Sequence, residues 1–171
     1  GPLRVAVMGL TTEDTHKMAH PDHVRGIEFR SVIAEATRLV PELRAQADVV
    51  IAATHMGHYE NGEHGTQAVG DVEMARSVKG IDLIVGGHTQ NPACMKAENV
   101  LDRAYVPGTP CQPERQNGTW IVQAHEWGKY VGRADFVIDG GKVELVKYQL
   151  LPVNLMKKGA DGKKAPYTEL I

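Results

Sequence analysis

Two short histidine-bearing turns concentrate the side chains in this 171-residue chain that could do chemistry. Ala53-Thr54-His55-Met56-Gly57-His58 follows the apolar run Val49-Val50-Ile51-Ala52, and Gly86-Gly87-His88-Thr89-Gln90 follows Ile81-Asp82-Leu83-Ile84-Val85. Open α/β sheets gather ligands and catalytic groups just past the C-terminal ends of their strands. Two such strands, separated by a helix-length segment, would turn both histidines toward one crevice. His88 and Gln90 are two residues apart, which on extended backbone puts both side chains on one side with Cα atoms about 6–7 Å apart. That spacing suits two ions about 3.5–4 Å apart, one ligand to each, better than a grip on a single ion. Gly86 and Gly87 allow close backbone approach to a ligand. Imidazole nitrogen and amide oxygen form a borderline donor set that fits zinc, manganese or cobalt. Gly-Gly-His alone is a weak signal, so the residues by themselves leave a metal site and a pair of structural histidines both open. His58 reads as a residue behind the ligands or facing substrate, and His64 and His125 read as structural.

The elements that must position these turns follow from periodicity. Residues 3–10 read as a strand and 11–24 as a polar loop. In 27–46, Val32, Ile33, Ala36, Leu39, Val40 and Leu43 fall at helical spacing, with Pro41 expected to kink the helix or start another. Residues 49–53 form the second strand. Asp71 reads as the cap of a short helix over 72–78, and 81–85 as the third strand. This βαβαβ order predicts a parallel sheet. Residues 91–118, with Pro92, Pro107, Pro110 and Pro113, read as a connection too irregular for a core element. Residues 120–124, 130–138 and 143–153 then read as strands, the last two joined by a turn at Asp139-Gly140-Gly141-Lys142. The fold class is therefore α/β, a parallel βα part followed by antiparallel strands. Residues 1–155 form one domain part and 156–171 a solvated linker.

Composition excludes little. Hydrophobic residues make up 42% and charged residues 23%, with a net charge of −2, which gives no reason to expect nucleic acid or an anionic membrane as partner. No apolar run approaches the roughly 18 residues of a membrane span. Histidine, with eight copies, is the outlier.

The segments Thr54-His55-Met56-Gly57-His58-Tyr59-Glu60-Asn61-Gly62-Glu63-His64-Gly65, Gly70-Asp71-Val72-Glu73-Met74-Ala75, Gly86-Gly87-His88-Thr89-Gln90 and Gln123-Ala124-His125-Glu126-Trp127-Gly128-Lys129-Tyr130-Val131-Gly132 resemble the bacterial UDP-sugar hydrolase/5'-nucleotidase group of the calcineurin-like metallophosphoesterases. The resemblance implies an α/β/β/α sandwich, of which this chain is the C-terminal half of the catalytic domain. It implies two divalent metal ions (zinc, manganese or cobalt), with His55 and His88 on one and Gln90 on the other. The wider superfamily mostly has His at the Gln90 position, and Gln is a mark of the subgroup. Nucleotides and UDP-sugars are the implied substrates and the periplasm the implied location, with Cys94 and Cys111 forming a disulfide.

The same resemblance places an Asp-x-His, a bridging Asp and a Gly-Asn-His with its catalytic histidine upstream of this chain. No catalytic residue is therefore assigned here, and the isolated polypeptide is expected to be inactive. Asp14-Thr15-His16 and Gly70-Asp71 mimic two of those motifs but align elsewhere, so Asp14, His16 and Asp71 are read as non-ligands. The alternative function is a non-catalytic metal-binding or assembly module completing a partner chain. Apolar faces left bare would favour self-association.

Overall fold

The computed structural model describes residues 1–59, 68–153 and 155–166. In chain order the elements are β1 (Val5–Thr11), α1 (Thr15–Met18), α2 (Pro21–Val24), α3 (Val32–Arg44), β2 (Val49–His55), α4 (Asp71–Ser77), β3 (Leu83–Val85), β4 (Met95–Ala97), β5 (Val100–Leu101), β6 (Glu114–Gln116), β7 (Thr119–Val122), β8 (Tyr130–Asp139), β9 (Lys142–Pro152), β10 (Met156–Lys158) and β11 (Lys164–Pro166). Two compact units divide them. The first comprises Gly1–Thr89 and Arg115–Ile121, the second Gln90–Glu114 and Val122–Ile171.

The main sheet has the order β1-β2-β3-β7-β6. β1 pairs parallel with β2, and β2 with β3, so that Val5 faces Val49, Thr11 faces His55 and Ala53 faces Val85. The parallel start read from the sequence is thus present. Alternation along these strands sends Met8, Ala52 and Ile84 to the side where Val32, Ala36 and Val40 of α3 and Val72, Met74 and Ala75 of α4 close the core. The opposite side presents Val5 at 48%, Val7 at 63% and Val85 at 43% exposure. Parallel sheets are ordinarily covered on both faces; on this second face Val49 and Leu83 are buried, while among the described residues Val5, Val7 and Val85 stay exposed.

α3 begins at Val32, later than periodicity suggested, because Ser31 caps it: its hydroxyl accepts from the Ala34 amide at 3.5 Å. The Glu13 carboxylate takes the Val32 amide at 3.0 Å. The helix runs through Pro41 to Arg44, so no second helix starts there. The carbonyl that loses its partner to Pro41 belongs to Thr37, which is exposed, where water can take its place. Residues 11–24, expected as a loop, hold α1 and α2. α2 opens on Pro21 at its first position, with the His20 ring accepting from the Asp22 amide at 3.3 Å.

The stretch 91–118 contributes more than a connection. β4 and β5 pair antiparallel within the second unit, and β6 joins the main sheet at its edge. Short strands with prolines between them lack the alternation by which strands are read. The disulfide Cys94–Cys111 ties this stretch together, with Cα atoms 5.0 Å apart. β8 and β9 form a long antiparallel ribbon turning at Gly140 and Gly141, whose φ values of 55° and 81° fit the glycines there. β10 and β11 pair as a small exposed hairpin where a linker was expected. Among the described residues no helix is long and apolar enough to cross a membrane.

Candidate metal centre

His55 is the last residue of β2, which runs two residues further than the strand read from the sequence. The Thr12 amide donates to its carbonyl at 3.1 Å, which ties the end of β2 to the turn leaving β1. His88 lies past the end of β3, with a left-handed φ of 74°. The parallel register carries both histidines to the same end of the sheet, and their rings meet with centroids 5.1 Å apart at 71°. Two imidazoles on one tetrahedral ion, with metal–nitrogen bonds of about 2.0–2.1 Å, hold their centroids about 5 Å apart. The pair therefore fits one divalent ion as two of its ligands.

Gly87 supplies the second half of that fit. A Cβ at this position would stand 3.2 Å from Nδ1 of His55, tight enough to press on that ring. An open cleft beside the pair is lined by Gly9, Leu10, Thr11, Ala53, Thr54, His55 and Val85.

His58 is buried, and its amide donates to the Thr89 hydroxyl at 3.2 Å. This bond fastens the first histidine turn to the second. Gln90 opens the second unit, exposed and with a φ of 54°, so His88 and Gln90 both sit on left-handed backbone and not on the extended backbone expected from their spacing. Among the described residues, no group of three or more His, Cys, Asp and Glu stands close enough to hold an ion.

The remaining candidates lie apart from the pair. Asp14 is buried and takes Lys17 Nζ at 2.5 Å, while the exposed His16 donates from Nδ1 to the Glu13 carbonyl at 2.6 Å. His64 lies outside the described residues. His125 occupies left-handed backbone at φ 67°, and its ring stacks on Tyr130 with centroids 6.1 Å apart. Burial and the Lys129 charge hold its imidazole below the ordinary value.

Asp71 departs from the sequence reading. Gly70 is the N-cap of α4, and Asp71 is its first helical residue, without a capping bond of its own. Its side chain points into the protein, where Thr54 donates to Oδ1 at 2.7 Å. Oδ2 has no hydrogen-bond partner among the described residues. Burial pushes this carboxyl up to about 7. Gly-Asp ahead of a helix reads as a cap, and nothing in the local sequence tells a cap from a buried first-turn acid.

No family model matches the chain. Protein UshA of Yersinia enterocolitica is 58% identical over 166 residues, which is 94% of this chain and 30% of that protein. A 5'-nucleotidase of Vibrio cholerae is 51% identical over 160 residues, 91% of this chain and 29% of that protein. Among solved structures, a 5'-nucleotidase precursor from Thermus thermophilus superposes with a TM-score of 0.62 at 28% identity, covering 89% of this chain and 28% of that one. The calcineurin-like phosphoesterase YfkN of Bacillus subtilis superposes with a TM-score of 0.60 at 22% identity, covering 86% of this chain and 44% of that one, a likeness of fold. The chain spans about 30% of the length of the relatives it matches. Over nearly its whole length, this chain is homologous to the UshA and 5'-nucleotidase proteins and carries part of the metallophosphoesterase fold.

Proposed function

We propose that this chain supplies part of the binuclear metal site of a periplasmic phosphohydrolase that cleaves 5'-nucleotides and UDP-sugars. The observation that carries the reading is the His55–His88 pair, held 5.1 Å apart with Gly87 leaving Nδ1 of His55 clear. His55 and His88 would hold one divalent ion as neutral imidazoles, and Gln90 would offer its amide oxygen to a second. When bound, such ions lower the pKa of a coordinated water to near 7 and polarise phosphoryl oxygens. His58 acts from behind, because its amide fixes the Thr89 hydroxyl and with it the turn carrying His88. The disulfide steadies the stretch that leaves Gln90. Homologues named for an enzymatic activity favour this reading over a non-catalytic metal-binding module.

The test uses the protein at its natural length, loaded with manganese or cobalt. His55→Ala and His88→Ala should each lose more than the ~10–100-fold typical of an outer-sphere partner in phosphate release from AMP and in UDP-sugar cleavage. Each should also bind one metal equivalent fewer. Wild-type rates and metal content in both variants would sink the reading. Among the described residues too few donors gather for a metal pair, so a polypeptide of these 171 residues alone should release no phosphate from p-nitrophenyl phosphate above background.

A further inference from the structure

Gln90 is exposed, so packing does not aim its side chain; its backbone must. That backbone is left-handed, with φ 54°, and Ala93 three residues on has φ 37°. Non-glycine residues in such conformations are strained and persist only where the surroundings over-determine them.

The restraint sits on the next residue. The Asn91 carbonyl accepts two hydrogen bonds, from Nε2 of Gln123 at 3.1 Å and from the His125 amide at 3.1 Å. Oδ1 of Asn91 accepts from the Ala93 amide at 3.0 Å and from Nε2 of Gln123 at 3.5 Å. Gln123 is 1% exposed, so water competes little for its amide, and a buried donor of this kind is costly to leave unsatisfied. A core glutamine could serve packing alone. This one spends its Nε2 on both oxygens of the residue that follows Gln90.

We propose that Gln123 is a positioning residue for Gln90: by gripping Asn91 through both its carbonyl and its Oδ1, it locks the left-handed backbone that aims the Gln90 amide oxygen at its metal ion. The proposal rests on the reading of Gln90 as a metal ligand. His125 contributes a backbone donor to the same carbonyl, and its own left-handed φ brings that amide into place.

The test measures metal binding by the protein at its natural length, titrating manganese and counting equivalents by elemental analysis, beside metal-free melting. Gln90→Ala should lose one of two equivalents. Gln123→Met, of similar size but without the donor, should weaken the same ion by about 10–100-fold and leave the His55–His88 ion at wild-type affinity. Should Gln123→Met fail to fold, Asn91→Ala, which removes Oδ1 and keeps the carbonyl, is read on the same ion and should weaken it. Wild-type affinity for both ions in Gln123→Met, with Gln90→Ala still losing one, overturns the positioning role and leaves the ligand reading standing. Equal weakening of both ions marks a structural role and overturns it too. Full metal binding by Gln90→Ala overturns the ligand reading, and the proposal with it.

Discussion

A carboxyl buried against one hydroxyl, as Asp71 is against Thr54, makes stability depend on pH in a direction that can be worked out. The ordinary value of 3.8 is raised to about 7 in the folded protein, chiefly by burial. Between those values the native state keeps a proton that the unfolded chain has lost, so stability falls as pH rises from about 4 to about 7. Below that window the effect is absent, and above it the full cost of a buried charge is carried. Asp71→Asn keeps an acceptor for the Thr54 hydroxyl and removes the charge. It should be more stable than the wild type at pH 8, by roughly 2–4 kcal/mol for a shift of this size, and should match it near pH 4. Urea melts at the two pH values check this, and a variant less stable at pH 8 would refute it. At this scale the two histidines were legible because strand ends mark them. Asp71 was not, since Gly-Asp before a helix reads the same whether the acid caps or is buried. Gln123 was missed for a related reason: nothing in a polar residue after a strand announces that it grips a backbone elsewhere.

Among the elements, the strands and α3 were legible because their apolar residues repeat at the right spacing. The short helices α1 and α2 were not, as four-residue helices carry too few residues to show a period. β6 and the β4–β5 pair escaped for the same reason. The Cys94–Cys111 bridge compensates for the weak local order of this stretch. It closes a sequence separation of 17 residues, worth on the order of 3 kcal/mol in the chain-entropy model. Replacing both cysteines with alanine should therefore lower the melting temperature by several degrees, with loss of order centred on residues 91–118. The unreduced, unfolded protein should titrate no free thiols; finding two would remove the bridge.

For the whole molecule, the parallel order β1-β2-β3 followed from the alternation of apolar runs and helices, whereas the exposed valines of the second face could not be read from any one strand. Val5, Val7 and Val85 alternate with core residues as half-buried strands do, and only the register shows that they share one side. A polypeptide of these residues alone should associate through this face. Its sedimentation should shift to heavier species with rising concentration, and Val7→Lys should reverse much of that; a concentration-independent monomer would refute it. The first histidine turn has a different kind of consequence. The Asp71 amide donates to the Gly57 carbonyl at 2.8 Å and the Val72 amide to the Tyr59 carbonyl at 3.3 Å. A Cβ at Gly70 would collide with that Tyr59 carbonyl. Two backbone bonds thus clasp the turn carrying His58 to the start of α4, and Gly70 is the point of closest approach. Position 70 is therefore where even one added methyl group would pry the first histidine turn away from α4, although it lies far along the chain from either histidine.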